Sequence, residues 1–321
     1  MTDVLIQALI FILGLVVLSW SADRFVYGAS ALAKNIGVSP MMIGLTIVAM
    51  GSSAPEIVVS AIASVNGNMN TAVGNALGSN ITNIALVLGV TALVKPLLVS
   101  STTLRRELPV LIVVNVIALA FMYDGRLAHI EGIILFGLFI FVLAGMAWLS
   151  LQVDKEDPLM AETTDEIPSG VNTSMALFWV GLGLILLPVS AHFMVDAAVN
   201  IARYMGISDL VIGLTIIALG TSLPELAASI AGVLKGEDDL ALGNIIGSNI
   251  FNLLAVLGMP GLIAPGLLDP DAHNRDMWVM MALTLLLFLF CFNFKGKRQL
   301  GRLNGLLFVG SFLFYQYWLF G

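Results

Sequence analysis

Residues 44–56 read GLTIVAMGSSAPE, and residues 213–225 read GLTIIALGTSLPE. Nine of these thirteen positions are identical at an offset of 169. Residues 74–83 (GNALGSNITN) and 243–252 (GNIIGSNIFN) match at seven of ten positions with the same offset. One offset for two separate blocks means a duplicated unit, not two chance motifs. The chain must therefore fold as two copies of one plan.

The medium in which the copies fold follows from their polarity. Apolar residues make up 59% of the 321 positions, charged residues 11%, and the mean hydropathy is +0.99. A soluble domain carries about 25% charged residues. These values exclude a soluble enzyme and a disordered chain. Apolar runs long enough to cross a bilayer occur at about 4–33, 41–65, 71–94, 107–123, 130–150, 175–203, 210–234, 240–264, 277–294 and 303–320. Ten-residue alternations, the mark of a membrane β-barrel, are missing from them. The net charge of −7 argues against a nucleic-acid partner. The single cysteine, Cys291, allows no intrachain disulfide. Nothing basic precedes Arg24, so the first run reads as a retained span, not a signal peptide.

The expected fold is an all-α integral membrane protein of ten transmembrane helices. Residues 1–151 form the first half (spans 1–5) and 175–321 the second (spans 6–10). Residues 152–174 link them and carry six acidic residues against Lys155. The linker reads as a solvated connection, with no spacing of a calcium loop. With the N-terminus outside, inner loops hold ten basic residues: Lys34, Lys95, Arg105, Arg106, Lys155, Lys235, Lys295, Lys297, Arg298 and Arg302. Outer loops hold three, Arg126, Arg203 and Arg275. That bias places both termini outside and the linker in the cytoplasm. Equivalent motifs lie five spans apart, so the copies cross the membrane in opposite directions. Inverted repeats are typical of secondary transporters, which bind substrate where the repeats meet.

Glu56 and Glu225 are the lone ionisable residues of spans 2 and 7. A mid-membrane carboxylate costs at least about 2.5–3.5 kcal/mol on insertion scales. No Lys or Arg lies inside spans 2, 3, 7 or 8, so neutralisation requires a bound cation or a proton. Pro55 and Pro224 precede the glutamates and disrupt backbone pairing, freeing carbonyls near Gly51 and Gly220. Broken backbone at membrane depth persists where it lines a cavity. Ser52, Ser53, Thr221 and Ser222 add hydroxyls. Asn75, Ser79 and Asn83 share one helix face, repeated by Asn244, Ser248 and Asn252. GxxxG pairs at Gly74/Gly78 and Gly243/Gly247 permit close helix approach. An all-oxygen donor set suits calcium or sodium, fits magnesium less well, and lacks the His/Cys cluster of a zinc or copper site.

Other polar residues fit less clearly. Asp23 and Arg24 pair or reach the interface; His192 and Asp196 either serve the ion path or pack. Trp148, Trp318, Tyr315 and Tyr317 read as interface anchors. No nucleotide loop, triad or HExxH motif is present, so the chain is not read as an enzyme and needs no cofactor.

These paired motifs resemble the two alpha-repeats of the calcium/cation antiporter superfamily, and the chain is most similar to its prokaryotic sodium/calcium exchangers. The resemblance implies two inverted five-helix halves, long tilted first and sixth helices, and exchange of cytoplasmic Ca²⁺ for external Na⁺ across the inner membrane. It implies central ligation by Glu56 and Glu225, with Ser52, Ser53, Thr221 and Ser222 contributing oxygens. It further implies sodium contacts from the carbonyls of Ala49 and Ala218, flanking sites at Ser79 and Ser248, and Asn83 and Asn252 at the middle of the cluster. Some relatives carry aspartate where this chain has Asn252, which bears on stoichiometry. The expected partners are the two ions and the lipid bilayer, with no obligatory protein partner evident. A proton/calcium antiporter on the same scaffold and, in another class, a cation channel are the alternatives.

Overall fold

The computed structural model describes residues 2–38, 40–43, 46–47, 49–99, 103–150, 168, 170–292 and 298–320. Most of the acidic linker, Lys295, Lys297, and Gly44, Leu45 and Val48 of the first motif lie outside the described residues.

Helices appear at all ten expected places. Span 1 is Thr2–Asn35, span 5 His129–Ser150, span 6 Thr173–Met205 and span 10 Arg302–Phe320. Span 4 is Leu108–Met122 after a π-turn at Thr103–Glu107, and span 9 is Met277–Cys291 after its counterpart at Ala272–Asp276. The four spans that carry the repeat motifs are segmented. Span 2 comprises Pro40–Ile43, Ala49–Gly51 and Ala54–Val65. Span 3 runs through Met69–Thr82, a π-segment Asn83–Leu88 and Gly89–Val94. Span 7 comprises Asp209–Ile212, a π-segment Gly213–Ile217, Ala218–Thr221 and Leu223–Lys235, with a 42° bend at Ser222. Span 8 runs through Asp238–Phe251, a π-segment Asn252–Val256 and Gly258–Ile263. Four two-residue strands depart from the all-helical expectation. Leu97–Leu98 pairs with Gln299–Leu300, and Arg126–Leu127 with Gly266–Leu267, tying loops of one half to loops of the other.

Spans 1 and 6, at 34 and 33 residues, are each about 50 Å long at 1.5 Å per residue. That exceeds a hydrocarbon core of about 30 Å, so both must tilt. They run antiparallel: Gly14 of span 1 seats Met194 of span 6, and Gly183 of span 6 seats Phe25 of span 1. Subtracting 169 from the second contact gives the first with its partners exchanged, so the pair obeys the pseudo-two-fold of the repeat. Their outer faces present Leu5, Leu9, Leu13, Leu184 and Ile185 to lipid.

Spans 2, 3, 7 and 8 form the centre. Leu77, Leu88, Leu214, Phe251 and Leu254 are fully buried around it. Spans 3 and 7 approach until backbones touch. A Cβ on Gly78 would lie 2.6 Å from the Leu214 Cα and 2.8 Å from the Ala218 Cβ. Without lipid-excluding hydrophobic pressure, such close small-residue packing is a main source of helix association.

Tyr315 corrects an expectation. It is not an interface anchor: it is 2% exposed, and its hydroxyl donates to Asp276 Oδ1 at 2.8 Å. Arg275 Nε pairs with the same oxygen at 2.7 Å. Trp148, Tyr317 and Trp318 are exposed, as an interface position requires.

Replacing Gly78 by Ala is expected to lower stability by about 1–3 kcal/mol, because backbone atoms of span 7 cannot yield to the added methyl. Gly310→Ala, which enters open space, is the control. Thermal unfolding in detergent should show a lower Tm for the first variant and no change for the second.

Candidate functional site

Each proline opens a new helix. Pro55 and Pro224 occupy the first turn of Ala54–Val65 and Leu223–Lys235, where the missing N–H is not needed. The residues just before, Ser53 (φ −90°, ψ 1°) and Ser222 (φ −86°, ψ 2°), share one bridge-region geometry. The break is thus the same in both repeats. Glu56 and Glu225 follow in the first turns. There the positive end of the helix dipole favours a carboxylate.

Both glutamates are 0% exposed. The two carboxylates are close enough to repel each other. The Thr221 hydroxyl faces Glu56, and the Ser52 hydroxyl faces Glu225, each reaching across the repeat boundary. Neither supplies a proper hydrogen bond. Thr221 Oγ1 donates to the Ile217 carbonyl at 3.1 Å, and Ser52 Oγ lies 3.4 Å from Asn244 Oδ1 and 3.2 Å from Ser248 Oγ. All four carboxylate oxygens therefore lack a hydrogen-bond partner among the described residues.

They are not alone. The side-chain oxygens of Ser53, Ser79, Ser222, Asn75, Asn83 and Asn252 are also buried without a partner. Native proteins leave few buried polar atoms unsatisfied, and each exception asks for an explanation. Among the described residues of spans 2, 3, 7 and 8 the orphans are eight carboxylate and amide oxygens, five hydroxyls and the Nδ2 atoms of Asn244 and Asn249. Carboxylate, amide and hydroxyl oxygens are the ligand types of a hard-cation cage. Of the expected residues, Glu225 and Thr221 neighbour Glu56, Ser52 neighbours Glu225, and Ser248 Oγ lies 3.2 Å from Ser52 Oγ. Ala218 is buried in span 7, but its carbonyl already accepts the Ser222 N–H at 3.1 Å and the Thr221 hydroxyl at 3.4 Å. Ala49 opens the short helix Ala49–Gly51.

Amide side chains brace this set. Asn75 Nδ2 donates to the Glu56 carbonyl at 3.1 Å, joining spans 3 and 2. Asn83 Nδ2 donates to Asn249 Oδ1 at 3.1 Å, and Asn80 Nδ2 to the Asn249 carbonyl at 3.2 Å, joining spans 3 and 8. Ser60 Oγ donates to the Val256 carbonyl at 2.7 Å, satisfying a group in the π-segment. Sequence reasoning did not single out Asn80, Asn249 or Ser60. Their signal was available: Asn80 and Asn249 are identical repeat mates, as are Ser60 and Ser229. The π-segments begin at the mates Asn83 and Asn252, and such bulges are frequent at functional sites.

Two other polar groups lie apart from the carboxylates. His192 and Asp196 meet Asn66 at one end of the bundle. Arg24 stacks over Trp179 at 5.2 Å from the ring centroid, with no ion pair to Asp23.

The segmented four-span core with its matched glutamates defines a class, membrane cation antiporters built on inverted repeats. The family model described as sodium/calcium exchanger protein matches residues 6–148 and 175–321. The chain belongs to that family; it is a transporter, not an enzyme, and an integral membrane protein. A protein of Alkalimonas amylolytica named as a candidate antiporter, CaxA, is 55% identical over 98% of this chain and 99% of its own length. The inner membrane protein YrbG of Escherichia coli is 45% identical over 98% of both chains. The solved sodium-calcium exchanger NCX_Mj, soaked with Na⁺ and Ca²⁺, superposes with a TM-score of 0.63 at 34% identity, covering 96% of this chain and 97% of its own. The NCX_Mj fold gives ten transmembrane helices in two repeats.

Asn249→Ala should leave the Asn83 amide without its side-chain acceptor and cost about 0.6–2 kcal/mol. A drop in Tm in detergent, larger than that of Asn200→Ala at an exposed position of span 6, checks this.

Proposed function

We propose that this protein exchanges Ca²⁺ for Na⁺ across the cytoplasmic membrane, with both termini outside and the 152–174 linker in the cytoplasm. The carrying observation is a pair of fully buried, mutually repelling carboxylates whose four oxygens have no protein partner among the described residues. Glu56 and Glu225 bring a charge of −2 into hydrocarbon. One Ca²⁺ cancels it. Sodium ions on overlapping oxygens do the same, so either cargo makes the site tolerable and the two exclude each other. An empty site carries an uncompensated double charge, and reorientation without cargo is too costly. That difference is what couples the two fluxes.

Ser52, Ser53, Thr221 and Ser222 complete the middle of the cluster in this reading. Ser79 and Ser248, with the carbonyls of Ala49 and Ala218, form the flanking sodium sites. Asn83 and Asn252 sit between them. With an amide at Asn252 the core holds two carboxylates, so a third sodium ion binds through neutral oxygens and moves one net charge per cycle. Halves 1–151 and 175–321 supply equal shares, and spans 1 and 6 slide over the core to expose it alternately. The similarity to NCX_Mj and the inner-membrane name of YrbG support this reading.

In proteoliposomes, an outward-directed Na⁺ gradient should drive Ca²⁺ uptake. Glu56→Gln and Glu225→Gln should each abolish it; full activity in both would refute the ligand assignment. Uptake driven by a pH gradient alone would favour proton coupling, and conductance far above transporter turnover would favour a channel.

Calcium should also stabilise the native chain. At a hundredfold excess over Kd the gain is about 2.7 kcal/mol, read as a rise in Tm. Both glutamine variants should lose that rise while still unfolding cooperatively.

A further inference from the structure

The offset of 169 makes His192 the mate of Asp23, Asp196 the mate of Tyr27, and Lys235 the mate of Asn66. These mates do not make equivalent contacts. At the end of the bundle where span 2 finishes, Asn66 Nδ2 donates to Asp196 Oδ1 at 3.1 Å and lies 3.3 Å from His192 Nδ1. His192 Nε2 is 3.4 Å from Asp196 Oδ2. With Nδ1 accepting from Asn66, the imidazole proton sits on Nε2 and faces the carboxylate. This cluster fastens span 6, a sliding helix, to the end of span 2, a core helix.

At the opposite end the mates are a carboxylate and an ammonium. Asp23 and Lys235 are both exposed, and no hydrogen bond or ion pair within 4 Å involves either among the described residues, although the charge of Arg24 attracts Asp23. The neighbouring Arg24 is drawn to Trp179 and Tyr27. Opposite charges thus stand at the two positions where the repeat's symmetry calls for a contact, and the contact is unmade.

Exposure of the core is skewed in the same sense. Thr221, Asn75 and Gly78 are fully buried where spans 3 and 7 touch, yet their mates Ser52, Asn244 and Gly247, along spans 2 and 8, are partly exposed. Packing beside the buried glutamates is closed on one side and looser on the side related to it by symmetry.

Resting on the proposed exchange and orientation, we infer that Asn66–His192–Asp196 is an outer latch, closed in this inward-facing conformation, and that Asp23–Lys235 is the inner latch that closes when the molecule turns over. The physical reason is the inverted repeat itself. Exchanging the conformations of the two halves converts every contact between residues i and j into one between their mates. The 66–192/196 contact then becomes 235–23/27. Lys235 can donate to both the Asp23 carboxylate and the Tyr27 hydroxyl, so the inner latch is an ammonium–carboxylate pair where the outer one is an amide–imidazole–carboxylate set. Each latch steadies one access state, and neither touches the cargo.

The test uses the full chain in native membranes, with Cys291→Ala removing the lone thiol and a protease site placed in the 152–167 linker. Disulfides between halves then hold the two fragments together on a non-reducing gel. Asn66→Cys/Asp196→Cys and Asp23→Cys/Lys235→Cys should both cross-link under mild oxidation, the first pair faster. Either disulfide should stop Ca²⁺ flux, and reductant should restore it. Failure of the first pair overturns the outer latch; failure of the second while the first forms overturns the inner one. Disulfides that leave flux intact overturn both. Where cysteine pairs do not accumulate, Lys235→Glu gives the answer. It should slow turnover severalfold, with recovery when Asp23→Lys is added; no slowing, or no recovery, removes the inner latch. Cross-links that form normally in a protein whose Ca²⁺ flux ignores Na⁺ would refute the exchange reading and leave the latches standing.

Discussion

Two carboxylates held against each other in hydrocarbon, without a protein cation, set the terms for the rest of this molecule. A single buried charge is costly, and two of like sign add repulsion to desolvation. Proteins usually resolve such a conflict with a lysine or arginine. Here the interiors of spans 2, 3, 7 and 8 contain none. What surrounds Glu56 and Glu225 are buried hydroxyls and amides that the described residues leave partly unpaired. In the exchange proposed above, the balancing positive charge arrives with the cargo, and the core is complete only when loaded.

That requirement explains why the backbone breaks where it does. A continuous helix would commit its carbonyls to its own ladder and leave no positive dipole end at membrane depth. Splitting spans 2 and 7 at Ser53 and Ser222 places a fresh helix N-terminus beside each glutamate. Proline makes the split inexpensive, since at the start of a helix it forfeits no hydrogen bond. The π-segments at Asn83 and Asn252 serve a related end. They shift the register of spans 3 and 8 beyond the polar stripe, so apolar faces resume contact after it.

Much of this was legible in the sequence, for identifiable reasons. Span number and the duplicated plan follow from hydropathy and from the 169-residue offset, both of which survive without tertiary information. The glutamates, prolines and hydroxyls were legible because buried charge in an apolar run is costly enough to demand a role. The π-segments were not, because residues such as Ile84 and Leu253 carry no local signal for them; packing against neighbouring spans decides. Tyr315 was misread because its place near a span end suits an interface anchor, and only the fold brings Asp276 to its hydroxyl. Asn80 and Asn249 stood in plain view as repeat mates. Their importance depends on which way each amide points, and helical periodicity ahead of a π-turn does not fix that.

Exact sequence symmetry would give the two ends of the transporter identical latches and identical access energies. The chain departs from symmetry at the points where spans 1 and 6 meet the core: Asp23 against His192, Tyr27 against Asp196, Asn66 against Lys235. The cage itself is nearly symmetric, with glutamate facing glutamate and serine or threonine facing serine. On the proposed ligand assignment, cargo binding is shared evenly between the halves, whereas the proposed latches that bias the two access states lie remote from the cargo. Such a division lets selection adjust which side the site rests toward without disturbing the oxygens that hold the ions. The fully buried mates along spans 3 and 7, against the partly exposed ones along spans 2 and 8, make this structure itself asymmetric about the cage.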